Sequence, residues 1–299
     1  MARTARLKLT DPSVALYHLM SRTNAQRFLF NRREIKDELV SSLKRAAAFC
    51  GIDLNAYTMM DNHFHIVCKV TRTGEPVTEE EVIRRYAILK GAKAAERLRK
   101  QINDLRLAGC AQVAEEELNR LRVRMNDISE FIKLFKEMFN VWYKAYIAKH
   151  TGEEYSGSIW NGRFKSTLIQ DGKYLHTCCK YVYYNPIRAG IVHRAHEYAW
   201  SWIAGAEGGS SSNAGTDPAI TAGVGSVPEE ALLRRVVQIG AGKVFGDEEF
   251  VKARLFGFGG KLKSSTAVAR PVGQLGFASH GYLLAKKLAA KLANRGSAA

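Results

Sequence analysis

Three kinds of side chain in this sequence could act together on a phosphodiester. His63 and His65 stand two apart in Asn62-His63-Phe64-His65. A strand places residues two apart on one face, so the two imidazoles project side by side. A pair of imidazoles can begin a divalent metal site, but two ligands are too few. Far along the chain, Tyr181 and Asn185 stand four apart. On a helix that spacing is about 40° around the axis, so phenol and amide leave the same side. If that helix packs beside the histidine strand, three metal ligands (His63, His65 and Asn185) and the Tyr181 phenol converge.

Such a set has a chemical logic. Cleaving a phosphodiester requires charge on the non-bridging oxygens to be neutralised, which a divalent ion does as a Lewis acid. Two neutral imidazoles and an amide oxygen leave that ion most of its charge, and the mixed donor set suits Mg²⁺ or Mn²⁺. A tyrosine hydroxyl is a weak nucleophile at neutral pH, and a nearby cation helps it ionise. Attack on phosphorus would leave a phosphotyrosine link, which stores the bond energy for joining a new end.

The elements that must position these groups can be read from the pattern of apolar residues. His63–Val70 alternates, with Phe64, Ile66, Cys68 and Val70 on a uniformly apolar face that should pack on a core. The histidines then stand on the opposite face, expected to be open. Val14–Met20 reads as a buried first strand, followed by the polar turn Ser21–Asn24. Residues 33–50 read as a helix stopped by Gly51. A second strand is expected around Asp53–Met60, with Asp61-Asn62 turning into the histidine strand. Thr78 and Glu81 make a capping box for a helix over 78–108. The spacing of Leu118, Leu121, Met125, Ile128, Ile132, Phe135, Phe139, Trp142 and Tyr146 predicts one long amphipathic helix from Gln112 to His150. It is expected to pack on the sheet; a coiled-coil dimer is the alternative. Lys165–Ile169 reads as a fourth strand. Asp171 is expected to cap a helix that Pro186 ends.

Composition points to a partner. The chain has 299 residues and a formal net charge of +16. Such a surface attracts polyanions, of which nucleic acid is the commonest. Five cysteines, odd in number and without a C-x-x-C pair, read as reduced thiols of a cytoplasmic protein. No apolar run is long enough to cross a bilayer, and no signal peptide is recognisable.

The quoted residues carry a resemblance. Asn62-His63-Phe64-His65 together with Tyr181–Val192 resembles the single-tyrosine HUH transposases, and within them the REP-associated tyrosine transposases. Tyr17–Arg22, Trp160–Ser166 and Tyr198–Ser201 fit the same pattern, so the resemblance covers roughly residues 14–203. It implies an α+β protein with a ferredoxin-like β-α-β-β-α-β core. It also implies a metal-dependent nickase and strand transferase acting on single-stranded or hairpin DNA. The family's histidine pair falls on His63 and His65, its nucleophile on Tyr181 and its helix-borne polar ligand on Asn185. Phe164 stands where many relatives have tyrosine.

Several readings compete. A histidine-triad hydrolase would need a histidine at Val67, and an amidohydrolase repeated βα units; neither is present. A nickase of replication or transfer origins and a silent hairpin-DNA-binding module remain alternatives. Arg22, Arg163, Lys165 and Arg188 are candidate DNA contacts, with Arg163 and Lys165 alternating on one strand. The expected organisation is a catalytic domain over 1–204 with a helical insertion at 78–150, a Gly/Ser/Ala linker at 205–227, and a basic, helical extension at 228–299. In that extension Leu283–Leu292 is amphipathic, so an interfacial helix competes with DNA binding. Monomer and homodimer are both compatible with the sequence.

Overall fold

The computed structural model describes residues 7–8, 13–204, 244–247 and 249–250. The expected linker at 205–227 and nearly all of the basic extension lie outside the described residues. The strands are β1 (Ser13–Arg22), β2 (Ile52–Met59), β3 (His63–Arg72), β4 (Lys165–Ile169) and β5 (Val244–Phe245). The helices are α1 (Arg33–Cys50), α2 (Glu79–Lys90), α3 (Ala92–Leu107), α4 (Ala111–Arg122), α5 (Ile128–Thr151) and α6 (Lys173–Arg188). The five strands form one sheet in the order β2-β3-β1-β4-β5. All neighbours are antiparallel except β4 and β5, which are parallel.

The succession β1-α1-β2-β3-α5-β4, with β3 between β2 and β1 and with β4 beyond β1, is the ferredoxin-like topology. Register decides which residues share a face. Tyr17 opposes Cys68, Leu19 opposes Ile66 and Ser21 opposes Phe64. Together with Leu168, Tyr57 and Met59 this face packs on Leu39, Leu43, Ala46 and Phe49 of α1 and on Phe131, Phe135 and Phe139 of α5. Trp160 is driven into the same core against Phe30, Phe64, Phe135 and Phe139. Its indole N–H donates to Asn140 Oδ1 at 2.7 Å, so the buried ring leaves no orphan donor.

The opposite face is covered, not open. Leu16, Ala56, Val67 and Ile169 pack under Leu175, Cys178, Cys179, Tyr181, Val182 and Tyr183 of α6. The histidine face therefore lies beneath a helix, and His65 is buried. Edge strand β2 is also covered along part of its length: Met59 N–H donates to Trp200 O, and Trp202 N–H donates to Tyr57 O. The Tyr198–Ser201 segment thus acts as an edge cover, anchored by the Tyr198 hydroxyl donating to Met59 O at 2.6 Å.

Several boundaries differ from expectation. Ser21 and Arg22 belong to β1, which puts Arg22 opposite His63. The helix expected over 78–108 breaks at Gly91, at φ 90°. The long helix expected over 112–150 also breaks, because Asn126 takes φ 54° and Asp127 caps α5, accepting from Ser129 N and Glu130 N. The three-and-four spacing of apolar residues runs straight through this break and hides it. Gly172, with Asp171 Oδ1 bonded to its N–H, precedes α6, so Asp171 is not the cap residue. β5 falls within the expected extension at 228–299 and pairs with β4.

Candidate active site

Three strands supply the floor of the site. His63 and His65 come from β3, His18 and Arg22 from β1, and Lys165 from β4. Thr58, His65, Met20 and Lys165 form one row across the sheet, directly opposed in register. At about 4.8 Å per strand, Lys165 lies roughly 10 Å from His65 on the same face. Arg163 sits in the turn before β4, exposed and off the strand, so its expected alternation with Lys165 is lost.

Each histidine of the pair is held from behind. His63 Nδ1 lies 2.7 Å from Asn62 Oδ1. The Asn62 amide nitrogen donates to Gln26 O at 3.1 Å, which fixes the amide with its oxygen toward His63. His63 must then carry its proton on Nδ1, leaving the Nε2 lone pair free. His65 Nδ1 is 2.9 Å from His18 Nε2, and the two rings stack with centroids 5.1 Å apart. With His65 as the donor, its Nε2 is likewise free for a ligand. The His63 and His65 rings stand edge to face at 5.1 Å.

Burial keeps these imidazoles neutral. It lowers the His18 pKa to about 4. His63 is also lowered to about 4, by burial first and then by the Arg22 charge, with Asp61 opposing. His65 is pushed well below the ordinary value by burial, by the neighbouring His63 and His18, and by Arg22 and Arg188. Neutral imidazole is the form that binds a metal ion.

The later helix brings in the phenol. Tyr181 lies edge-on to His65 at 5.3 Å and to His18 at 5.7 Å, and is 8% exposed. Burial raises its pKa, while the Arg188 charge and hydrogen bond, and the Arg22 charge, oppose that rise. Arg188 reaches Tyr181 because α6 does not stop before Pro186 but runs on through it to Arg188. Its guanidinium carbon stands 5.7 Å from the Tyr181 ring centroid. Proline has no N–H for the Val182 carbonyl, and the Asn185 amide nitrogen serves Tyr181 O at 2.8 Å and Val182 O at 3.5 Å instead. Asn185 therefore faces its own helix through its nitrogen, and only its oxygen is left to turn elsewhere. Arg22 Nε and Arg188 Nε are both buried without a hydrogen-bond partner, a costly state that an anionic ligand would relieve.

Among the described residues, no three His, Cys, Asp or Glu side chains group as a metal site. The protein's own contribution is thus two oriented imidazoles, His63 with its tautomer set by Asn62, and, at most, an amide oxygen. Sequence reasoning placed His63, His65, Tyr181 and Arg188 but gave no role to His18 or Asn62. His18 sits in a buried apolar strand, and only the β1–β3 register sets it behind His65. Asn62 carried a local signal, since a polar residue directly before a histidine can reach its Nδ1.

Residues 13–106 match the family described as "Transposase IS200 like". This segment holds β1, β3, His18, His63 and His65, and ends before Tyr181. Among curated proteins, none matches the chain. A solved structure of a REP-associated tyrosine transposase bound to a REP hairpin is similar over 67% of this chain and 82% of that one, at 14% identity and a TM-score of 0.39. Among the described residues, no helix is long and apolar enough to cross a membrane.

Proposed function

From the IS200-like transposase match over residues 13–106, we propose that this chain nicks and rejoins single-stranded or hairpin DNA through a covalent link to Tyr181. The observation that carries the reading is the packing of the Tyr181 ring against His65, 5.3 Å apart. It brings the phenol proposed as nucleophile, from outside the matched segment, beside that segment's histidine pair. The Tyr181 oxygen attacks phosphorus, a P–O bond to tyrosine forms, and the P–O bond to the leaving sugar breaks. The leaving oxygen takes a proton and departs as a hydroxyl end. Reversal with a different hydroxyl end gives strand transfer.

The residues present fit a divalent ion. His63 and His65 would hold Mg²⁺ or Mn²⁺ through Nε2, with the Asn185 oxygen as a further ligand, and the ion would supply Lewis-acid neutralisation of the phosphate. His18 and Asn62 hold the two rings in orientation. Arg22 and Arg188, with unpartnered Nε atoms beside the phenol, suit the non-bridging oxygens and the forming tyrosinate. Lys165, on the same face, suits a phosphate further along the strand, and exposed Arg163 suits only a peripheral backbone contact.

The test is incubation with Mn²⁺ and end-labelled hairpin DNA, followed by a denaturing gel. A covalent protein–DNA band is expected from the parent protein and none from Tyr181→Phe. A band that persists in Tyr181→Phe moves the nucleophile elsewhere. No band with any hairpin or flanking sequence, alongside intact DNA binding, makes the chain a hairpin-binding module.

A further inference from the structure

A second cluster of aromatic and cationic side chains lies at the end of the sheet where Asn62 turns into β3. Along α5, Trp142, Tyr146 and His150 recur every four residues and stack on one another. The Trp142 and Tyr146 centroids are 4.8 Å apart at 19°, and those of Tyr146 and His150 are 4.1 Å apart at 30°. His150 is exposed, and Trp142 and Tyr146 are half-buried. His150 Nδ1 is fixed on Tyr146 O at 2.7 Å, which holds the last ring in line. Beside them Tyr155 meets Tyr143 edge to face at 5.2 Å.

Two guanidiniums are tied to tyrosines of this cluster. Arg27 donates to the Tyr155 hydroxyl at 2.6 Å and lies over that ring. Arg32 is hydrogen-bonded to the Tyr146 hydroxyl. Among the described residues neither forms an ion pair; Glu34 is the carboxylate that acts on Arg32. Phe28, between them in sequence, is 66% exposed. Arginines held on hydroxyls, not carboxylates, keep their positive charge available close in sequence to this exposed ring.

This cluster connects to the candidate active site. Gln26 O accepts from the Asn62 amide, whose oxygen holds His63, while Arg27 reaches Tyr155. The connecting loop is strained: Ala25 and Gln26 both take positive φ, 51° and 55°, which is uncommon for residues with a Cβ. The backbone is held in that shape by Asn62 on one side and by Thr23 Oγ1 donating to Arg27 O at 2.7 Å on the other.

We propose that the Trp142–Tyr146–His150 stack, with Phe28, Arg27 and Arg32, is a platform for unpaired DNA bases running out from the candidate active site. Bases extend a ready-made ring stack without sequence preference, and guanidiniums on its flank take the phosphates. The net charge of +16 favours a polyanion over a peptide at this surface. The proposal rests on the DNA-processing reading for its direction, but not for its test.

The test uses the full chain and a fluorescein-labelled single-stranded oligonucleotide, with a duplex of the same sequence as comparison, read by anisotropy. Trp142→Ala and Tyr146→Ala are expected to weaken single-strand binding roughly tenfold each, with duplex binding changed far less. Phe28→Ala, at an exposed position that cannot disturb the core, is expected to move in the same direction. Tyr146→Phe, which keeps the ring, should retain binding. Unchanged single-strand affinity in Phe28→Ala and Tyr146→Ala overturns the platform, as does an equal loss on single strand and duplex. Adduct assays on the same preparations separate the two proposals. Loss of single-strand binding in the ring variants, with no adduct from the parent, leaves the platform standing and removes the nicking reading. An adduct from the parent with ring variants that bind normally does the reverse.

Discussion

The orientation of each imidazole of the His63–His65 pair is set by one neighbour, and each neighbour can be tested alone. Asn62→Ala removes the acceptor that fixes His63 as the Nδ1–H tautomer. We expect Mn²⁺ affinity, measured by calorimetry, to fall about 10- to 100-fold, as losses behind a metal ligand do. His18 makes a different prediction. Its pKa is about 4 in the fold against an ordinary 6.5, so the unfolded chain binds the proton first as pH falls. The stability this group contributes is complete above pH 6.5 and is lost as pH falls toward 4, by roughly 3 kcal/mol at most. In metal-free protein, chemical denaturation across that window should show the stability gap between parent and His18→Gln closing as pH falls. A gap independent of pH would contradict a buried, neutral His18.

Elements decide which of these residues meet. Gly51 ends α1 at φ 63°, and a Cβ there would meet the Arg85 guanidinium and Asn126 Oδ1, the latter at 2.8 Å. Gly51→Ala therefore combines backbone strain with displacement of Arg85, and a loss above about 1 kcal/mol is expected in urea denaturation. This helix end was readable in the sequence, because a glycine after an apolar 3.6-residue pattern has one common meaning. The apolar face of β3 was readable for the same reason. Two things were not. The histidine face read as open because alternation reports polarity within one strand and carries nothing about a helix arriving from over a hundred residues later. Pro186 read as a helix end because the local rule is sound; the compensation by the Asn185 side chain is a contact, and it is what delivers Arg188 to Tyr181. His18 escaped notice because one histidine in an apolar strand is indistinguishable from a packed core residue until register is known.

At the scale of the molecule, the sheet is a partition. Its one face is a wide aromatic core under α1 and α5; the other is a small core under α6 that includes Tyr181. The larger apolar core lies on the first, while the second carries the buried imidazoles and the two guanidiniums whose Nε atoms have no hydrogen-bond partner. The positive surface predicts a steep salt response: single-strand affinity should fall by roughly a hundredfold or more between about 50 and 200 mM salt. A flat response would remove the basic surface as the DNA contact.

The consecutive left-handed residues Ala25 and Gln26 have a consequence for how this protein tolerates change. A side chain in that conformation costs on the order of 1 kcal/mol relative to glycine. Ala25→Gly should raise the melting temperature, or at least cost nothing, where almost any other mutation in a tight loop would lower it. The same change gives the Gln26 carbonyl that accepts from Asn62 more freedom in the free chain. The loop is thus a point where durability and readiness for a ligand are set against each other, and a protein optimised in the laboratory for heat alone would be expected to abandon the natural residue there first.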